Sequence, residues 1–146
     1  MIVGVPKEVK NNENRVGLTP NSVKLLSELG HSIFVQSQAG DAIGFSDDLY
    51  LSSGATILQD VEEVFASSDL IIKVKEPVDG ELQYLREGLG LFTYLHLAGN
   101  LPQAKKLLET GVTGIAYETV TAIDGSLPLL APMSAVAGQL SMVVGS

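Results

Sequence analysis

Residues able to do chemistry follow the apolar runs of this sequence instead of lying within them. Each of the stretches IVGV, LIIKV, LFTYL and GIAY is typical of a buried strand, and polar residues come directly after it. These residues are Lys7, Glu8, Lys75, Glu76, His96 and Glu118, with Arg15 further along the first loop. Because ligands bind outside the carboxyl ends of parallel strands, the pattern predicts that these side chains converge at one edge of a sheet.

Three of these residues could together bind a small acid that carries a carbonyl group, such as a 2-oxo acid. Arg15 offers a planar guanidinium suited to a carboxylate, and Lys75 adds a mobile ammonium group. His96 could donate a hydrogen bond to a carbonyl oxygen or move a proton near neutral pH. Each also has a structural alternative. Arg15 could be a solvated loop residue, Lys75 could simply extend to solvent, and His96 could be a satisfied histidine at a buried strand terminus.

Two further charged residues are expected to have structural roles. Lys73 lies on the same strand face as Lys75 and is expected to pair with a neighbouring acid. Glu118 is expected either to hold its loop or to neutralise Lys75. Neither Lys73 nor Glu118 is therefore a candidate for binding the acid.

Several classes of site are excluded by what the sequence lacks. It contains no G-x-G-x-x-G, Walker, H-E-x-x-H or G-x-S-x-G pattern. The chain has no cysteine and only two histidines, which argues against a transition-metal site. A net charge of −8 without a basic patch argues against a nucleic-acid partner. The sequence can hold an acid, but it shows no device for redox chemistry.

The segment after Asp124 carries no charged residue up to the end of the sequence. It is long enough to span a membrane, but Pro128, Pro132 and several polar residues interrupt it, and no basic residues flank it. A helix that packs between two domains is therefore the favoured interpretation, with no membrane partner. The chain begins with an immediate strand instead of a signal peptide, so the cytoplasm is the expected location.

The elements that must position these residues alternate between strands and helices. The predicted strands are 2–5, 32–36, 55–58, 70–75, 89–97 and 112–118. One helix is capped by Thr19, starts at Pro20 and stops at Gly30, and others are predicted after Ser46, over 60–65, near 79–87 and after Asn100. Right-handed crossovers between such strands predict an α/β fold with a doubly wound, mostly parallel sheet of Rossmann or flavodoxin type, lacking the dinucleotide fingerprint.

Seven collinear blocks of the sequence closely resemble alanine dehydrogenases. They are GVPKE, NRVGLTP, AGDAIGFSDDLY, IIKVKEP, LFTYLHLA, AYETV and LPLLAPMS. The resemblance runs from Met1 to about residue 146. The related proton-translocating transhydrogenases share GVPKE and an R-V-x-x-T-P element but lack the blocks that contain Lys75 and His96, so the resemblance favours the dehydrogenases.

The resemblance implies reversible oxidative deamination of L-alanine to pyruvate and ammonia, with NAD as the hydride acceptor. By the matching motifs, Arg15 would hold the substrate carboxylate, and Lys75 would hold the carboxylate or the carbonyl oxygen. His96 would bond the carbonyl oxygen and assist proton transfer, so Lys75 and His96 are the expected catalytic residues. Met133 and Ser134 would approach the nicotinamide end of the cofactor.

The resemblance also implies a larger protein. Residues 1–127 would form the substrate-binding domain, and residues 128–146 would begin a connecting helix toward an NAD-binding domain absent from this sequence. That domain would carry the glycine-rich fingerprint and a catalytic aspartate, so this chain alone is expected to be inactive. Family members form hexamers, which implies a homo-oligomer.

Two departures and two alternatives accompany this interpretation. Many relatives carry an acid at the position of Ala135 and an arginine at that of Gln139, which bears on the cofactor contact or the domain interface. One alternative is a non-catalytic module that binds 2-oxo acids or joins a separate nucleotide-binding subunit, as split transhydrogenases do. The other is a folded remnant that binds nothing.

Overall fold

A computed structural model describes residues 1–144 of the chain. Strands and helices alternate along it, as the sequence predicts. The strands are β1 (Ile2–Val5), β2 (Ser32–Gln36), β3 (Ala55–Leu58), β4 (Leu70–Ile72), β5 (Gly90–Thr93) and β6 (Thr113–Ala116). The α-helices are α1 (Pro20–Glu28), α2 (Asp47–Ser52), α3 (Val61–Ser67), α4 (Asp79–Leu82), α5 (Leu101–Thr110) and α6 (Ala131–Val144). Short 3₁₀ turns cover Asp41–Ile43, Leu97–Gly99 and Tyr117–Thr119.

The six strands form one sheet in the order β3-β2-β1-β4-β5-β6. Every neighbouring pair is parallel, and Val3 of β1 lies opposite Ile33 on one side and Leu70 on the other. The strand order reverses between β1 and β4, which is where doubly wound sheets open a crevice for a ligand. The predicted α/β class and doubly wound sheet are confirmed.

Two apolar layers cover the sheet, one on each face. Val23 of α1 and Tyr50 of α2 are fully buried in the first layer. Phe65 of α3 and Leu107 of α5 lie in the second layer. A fully buried aliphatic or aromatic side chain of this kind contributes about 1.5–3 kcal/mol relative to an exposed one. The layers therefore hold the strands rigidly and leave their carboxyl ends free to carry polar side chains.

Capping residues set the ends of the helices, as the sequence predicts for α1, α2 and α5. The Thr19 hydroxyl accepts a hydrogen bond from the Ser22 N–H at 3.2 Å, and Pro20 begins α1. Gly30 follows α1 with a φ of 85°, in the left-handed region that ends helices. The side chains of Ser46 and Asn100 cap α2 and α5 in the same way.

A glycine brings the loop after β1 onto the sheet. A Cβ atom on Gly17 would lie 2.3 Å from the carbonyl oxygen of Ile72, the last residue of β4. Only glycine permits this approach, because a real Cβ atom cannot come so near to a main-chain oxygen. The loop that carries Arg15 is thereby pressed against the carboxyl end of β4.

Three strands are shorter than the sequence predicts. β4 ends at Ile72, β5 at Thr93 and β6 at Ala116, so the predicted strands 70–75, 89–97 and 112–118 were too long. At β4 and β5, carboxylates replace main-chain partners. The Glu8 carboxylate accepts the Val74 N–H at 2.7 Å, and that of Glu118 accepts the His96 N–H at 2.7 Å. These carboxylates satisfy donors just beyond the strand ends, where main-chain hydrogen bonds still join Lys73 to Phe92 and Tyr94 to Val74.

Two helices differ in extent from the prediction. The helix expected near 79–87 stops at Leu82, and the chain continues through turns in which the Tyr84 and Leu85 N–H groups bond three residues back. The helix expected over 60–65 extends to Ser67.

Helix α6 begins at Ala131, after a turn closed by a hydrogen bond from the Leu130 N–H to the Leu127 carbonyl at 3.1 Å. A connecting helix was predicted over 128–146, and its last two residues, 145 and 146, lie outside the described residues. Every residue from Ala131 to Ser141 is exposed. Among residues 1–144, no helix is both long enough and apolar enough to cross a membrane.

Candidate active site

Four of the five predicted site residues line one pocket outside the carboxyl ends of the strands. Arg15, Lys75, His96 and Met133 surround a cavity of about 210 Å³, together with Glu76, Tyr94 and Leu130. The loop after β1 brings Arg15, the end of β4 brings Lys75, and the segment after β5 brings His96. The structure thus brings together side chains that lie up to 118 positions apart in sequence.

The guanidinium of Arg15 is oriented by Glu13, two residues earlier. Its Nε donates to Glu13 Oε1 at 2.8 Å, and its Nη2 donates to Glu13 Oε2 at 2.5 Å. The Arg15 side-chain hydrogen bonds, opposed by burial, lower the pKa of Glu13, so this carboxyl stays ionised. The remaining nitrogen, Nη1, lies 3.3 Å from the Met133 sulfur and faces the pocket. Arg15 is thus a loop residue held by an ion pair, with its side chain 39% exposed.

Lys75 is half-buried and lines the pocket, and its main-chain N–H is bound by Glu8. Its N–H donates to Glu8 Oε1 at 3.3 Å, beside the shorter bond from Val74. The next residue, Glu76, forms an ion pair with Lys10 and also lines the pocket. Lys75 therefore lines a cavity just beyond the end of β4.

Lys73 forms the ion pair that the sequence predicts. Its side chain is 1% exposed, and its Nζ lies 2.5 Å from Glu81 Oε1 and 3.7 Å from Glu8 Oε2. A buried ammonium needs such partners, because its desolvation is otherwise costly. Lys73 has a structural role under the pocket.

His96 does not end a buried strand, and the prediction of that position was wrong. Strand β5 ends three residues earlier, and His96 is exposed with a φ of 51°, in the left-handed region. The alternative of a buried structural histidine is wrong for the same reason. The imidazole lies against Gly99, where an added Cβ would be 2.9 Å from its Cδ2 atom. His96 is therefore available to a molecule in the pocket.

Glu118 holds the turn that carries His96, which confirms one of its two expected roles. Its Oε1 accepts the N–H groups of His96 at 2.7 Å and Leu95 at 3.2 Å. A non-glycine residue in the left-handed region needs such support, because the conformation costs about 1 kcal/mol or more.

The two predicted cofactor residues lie in the first turn of α6. Met133 is 41% exposed and contributes its sulfur to the pocket wall. Ser134 is exposed, its N–H donates to the Leu130 carbonyl at 3.1 Å, and it is not among the residues that line the pocket. Of these two neighbouring residues, only Met133 thus lines the pocket.

Sequence reasoning missed three contributors to the site: Glu13, Tyr94 and Leu130. The Tyr94 hydroxyl donates to the Leu129 carbonyl at 2.6 Å and ties β5 to the turn before α6. Its ring packs edge-on against Tyr117 at 5.0 Å. The acid-x-arginine spacing of Glu13 and Arg15 was a readable local signal, whereas no local pattern indicates the contact between Tyr94 and Leu129.

The arrangement suits a small anion with a second polar group. Arg15 and Lys75 supply positive charge, and the His96 imidazole can donate or accept a hydrogen bond. The cavity of about 210 Å³ leaves room for a molecule of a few heavy atoms. Within residues 1–144, no group of three His, Cys, Asp or Glu side chains could hold a metal ion.

The sequence and the fold were compared with those of known proteins. The profile described as "Alanine dehydrogenase/PNT, N-terminal domain" matches residues 4–137. This chain belongs to that family. This match confirms the resemblance drawn from the sequence blocks.

Relatives of this alanine dehydrogenase/PNT N-terminal domain match it over its whole length. It is 51% identical to the alanine dehydrogenase of Staphylococcus saprophyticus and 49% identical to that of Methanococcus maripaludis, in each case over 146 residues. These 146 residues cover 100% of the chain and 39% of either relative. The chain therefore spans about two fifths of the length of the curated relatives it matches.

Solved structures give the same relationship. An L-alanine dehydrogenase superposes with a TM-score of 0.93 at 46% identity, covering 99% of this chain and 40% of that one. A transhydrogenase from Sinorhizobium meliloti superposes with a TM-score of 0.78 at 29% identity, covering 84% of this chain and 36% of that one.

Proposed function

We propose that this chain is the substrate-binding part of an NAD-dependent L-alanine dehydrogenase. Such an enzyme converts L-alanine, NAD and water to pyruvate, ammonia and NADH. The observation that supports the proposal is the convergence of Arg15, Lys75 and His96 on one small pocket at the carboxyl edge of β1, β4 and β5. The identity to proteins named alanine dehydrogenase supports it further.

Each of these side chains has a role that its chemistry allows. The free edge of the Arg15 guanidinium would bind the carboxylate of pyruvate or alanine through charge-assisted hydrogen bonds. The ammonium of Lys75 would bind the carboxylate or the carbonyl oxygen, and the His96 imidazole would donate to that oxygen. His96 would also take up or release the proton that accompanies the change between amine and ketone.

NAD would be held mainly by residues outside these 146, because no glycine-rich fingerprint occurs in the chain. Met133 and Ser134 would meet its nicotinamide end. The exposed thioether of Met133 fits the face of an aromatic ring, and the exposed Ser134 hydroxyl fits an amide. When bound, NAD would accept the hydride from substrate.

The remaining organisation follows from the same proposal. Residues 1–127 would form the substrate-binding domain, and residues 128–146 would lead toward the NAD-binding domain. The complete protein would be a cytoplasmic hexamer. The exposed and uncharged α6 is consistent with a helix that packs against another domain.

A second candidate function is a non-catalytic module that binds a 2-oxo acid and pairs with a separate nucleotide-binding subunit. The observation that favours it is the structural similarity to a transhydrogenase. Co-purification of a separately encoded NAD-binding chain from the native source would support this module. If no such chain co-purifies, and a covalent fusion to an NAD-binding domain is active, the dehydrogenase is supported instead.

The first experiment is an NMR titration of the 146-residue chain with pyruvate, following the signals of Arg15, Lys75 and His96. Saturable shifts at all three residues are expected. The affinity for pyruvate is expected to fall about tenfold to a hundredfold in an Arg15→Ala variant, which loses a hydrogen bond to a charged group. Arg86→Ala is the matched control, because Arg86 instead donates to carbonyl groups at the end of α3. No shift at millimolar pyruvate would contradict a preformed substrate site.

The second experiment joins residues 1–137 to the rest of the Staphylococcus saprophyticus enzyme and measures NAD-dependent oxidation of L-alanine. The fusion is expected to turn over, and His96→Ala is expected to abolish this activity. His31→Ala is the matched control, because His31 lies before β2, at the opposite edge of the sheet. A well-folded fusion that remains inactive would contradict the dehydrogenase function, as would full activity of the His96→Ala variant.

A further inference from the structure

A buried charged cluster contacts the segment that carries Lys75 and is not part of the pocket lining. It consists of Glu8, Lys73 and Glu81, whose side chains are 2%, 1% and 5% exposed. The Lys73 ammonium stands between the two carboxylates, 2.5 Å from Glu81 Oε1 and 3.7 Å from Glu8 Oε2. Among the described residues, Glu8 Oε2 has no hydrogen-bond partner and faces Lys73 only as an ion pair, so removing the ammonium would leave a buried charge.

Glu8 uses its other oxygen to hold the main chain beside the pocket. Its Oε1 accepts the Val74 N–H at 2.7 Å and the Lys75 N–H at 3.3 Å, across a sequence separation of 66 and 67 residues. These two donors lie two and three residues after Ile72, where β4 ends. The carboxylate thus sets the direction in which the main chain at Lys75 leaves the sheet.

Glu81 serves a different part of the same segment. Its Oε2 accepts the Val78 N–H at 2.9 Å, which caps α4, and it makes no hydrogen bond to Val74 or Lys75. Glu8 and Glu81 therefore share the contact with Lys73 but differ in what else they hold. Substitutions of Glu81 should therefore affect the stability of the cluster, whereas substitutions of Glu8 should also affect the position of Lys75.

We propose that Glu8 is a positioning residue for Lys75. Its carboxylate accepts the main-chain N–H groups of Val74 and Lys75, and the Lys73 ammonium opposes part of the cost of burying this charge. The inference rests on the proposed function, since it assigns Glu8 to the placement of a substrate-binding lysine. Glu8 lines a different cavity together with Arg15 and is absent from the lining of this pocket, so its proposed effect passes through Lys75.

Two substitutions test this role in the 146-residue chain. Glu8→Gln places an amide next to the Lys73 ammonium, and Glu8→Asp keeps the charge but withdraws the carboxylate by one methylene from the N–H donors. Either variant is expected to weaken pyruvate binding about tenfold, as for the loss of one hydrogen bond to a charged group. The amide hydrogens of Val74 and Lys75 are expected to exchange faster, and their NMR signals to shift.

Glu81→Gln is the matched control within the cluster. It is expected to lower stability without moving the Lys75 amide signal, and to leave pyruvate affinity nearly unchanged, because Glu81 holds the Val78 N–H and not the main chain at Lys75. If the Glu8→Gln variant does not fold, the Glu8→Asp variant tests the positioning role instead. Equal losses of affinity in the Glu8 and Glu81 variants, in proportion to their stability, would overturn the positioning role.

The two proposals fail differently. A wild-type chain that does not bind pyruvate overturns the proposed function, whereas the Lys75 amide readout still tests whether Glu8 holds this segment. Unchanged exchange and shift at Lys75 in the Glu8 variants overturns the positioning role even where pyruvate binds.

Discussion

The bond between Glu13 and Arg15 offers a sharp test of how the pocket is organised. Glu13 accepts three hydrogen bonds from Arg15: from Nε at 2.8 Å, from Nη2 at 2.5 Å and from the main-chain N–H at 3.0 Å. A Glu13→Gln substitution keeps the size of the side chain but removes its charge. One of its two terminal atoms becomes an amide nitrogen, which cannot accept from the guanidinium.

The cost of this substitution can be bounded from the geometry. A hydrogen bond to a charged group contributes about 1.5–3 kcal/mol when it is well buried. The Glu13 side chain is 8% exposed, but that of Arg15 is 39% exposed, so solvent weakens the interaction. We therefore expect the free energy of unfolding to fall by about 1 kcal/mol. A freed guanidinium is expected to weaken pyruvate binding by about fivefold, the equivalent of that energy.

The effect of the Glu13→Gln substitution on stability is expected to depend on pH in one direction. The hydrogen bonds from the Arg15 side chain lower the pKa of Glu13 below its ordinary value of 4.5, in spite of burial. A carboxyl whose folded-state pKa is lowered stabilises the fold above its unfolded pKa, and this contribution is lost as the pH falls through the folded pKa. The difference between wild type and Glu13→Gln is thus expected to be full at pH 7 and to shrink below about pH 4.5.

Urea unfolding at a series of pH values between 7 and 3 measures this difference directly. Glu109→Gln is the matched control, because Glu109 is exposed on α5 and far from Arg15 in the sequence. A difference that stays constant with pH, or grows on acidification, would refute the argument that Glu13 acts through its ionised form.

Three further substitutions have distinct expected outcomes. Gly99→Ala is expected to displace the His96 imidazole and weaken pyruvate binding while leaving thermal stability nearly unchanged, because the new methyl meets a side chain that can move; an unmoved His96 ring signal would contradict this. Gly17→Ala is expected to cost about 1–3 kcal/mol or more in chemical unfolding, because its methyl meets the Ile72 carbonyl; a wild-type midpoint would contradict the packing. Thr19→Ala is expected to lower the free energy of unfolding by about 1 kcal/mol through loss of a helix cap, with pyruvate affinity unchanged in the NMR titration.

The bounds of α1 and the class of the sheet could be predicted from the sequence. Thr19, Pro20 and Gly30 set the bounds of α1 through backbone geometry that each residue carries with it. Apolar runs separated by helices leave few connections other than right-handed crossovers, which make the sheet parallel. The convergence of Arg15, Lys75 and His96 followed from this, since parallel strands bring their carboxyl ends to one edge.

By itself, then, the sequence determined the strands and helices, their parallel arrangement and the edge where polar side chains collect. Only the tertiary structure decided where β4 and β5 stop and how His96 is presented. The Glu8 carboxylate takes the Val74 donor from 66 positions away, and that of Glu118 takes the His96 donor from 22 positions away. At both segments a carboxylate from a distant part of the chain accepts main-chain N–H groups, and no local pattern encodes which two distant segments will meet.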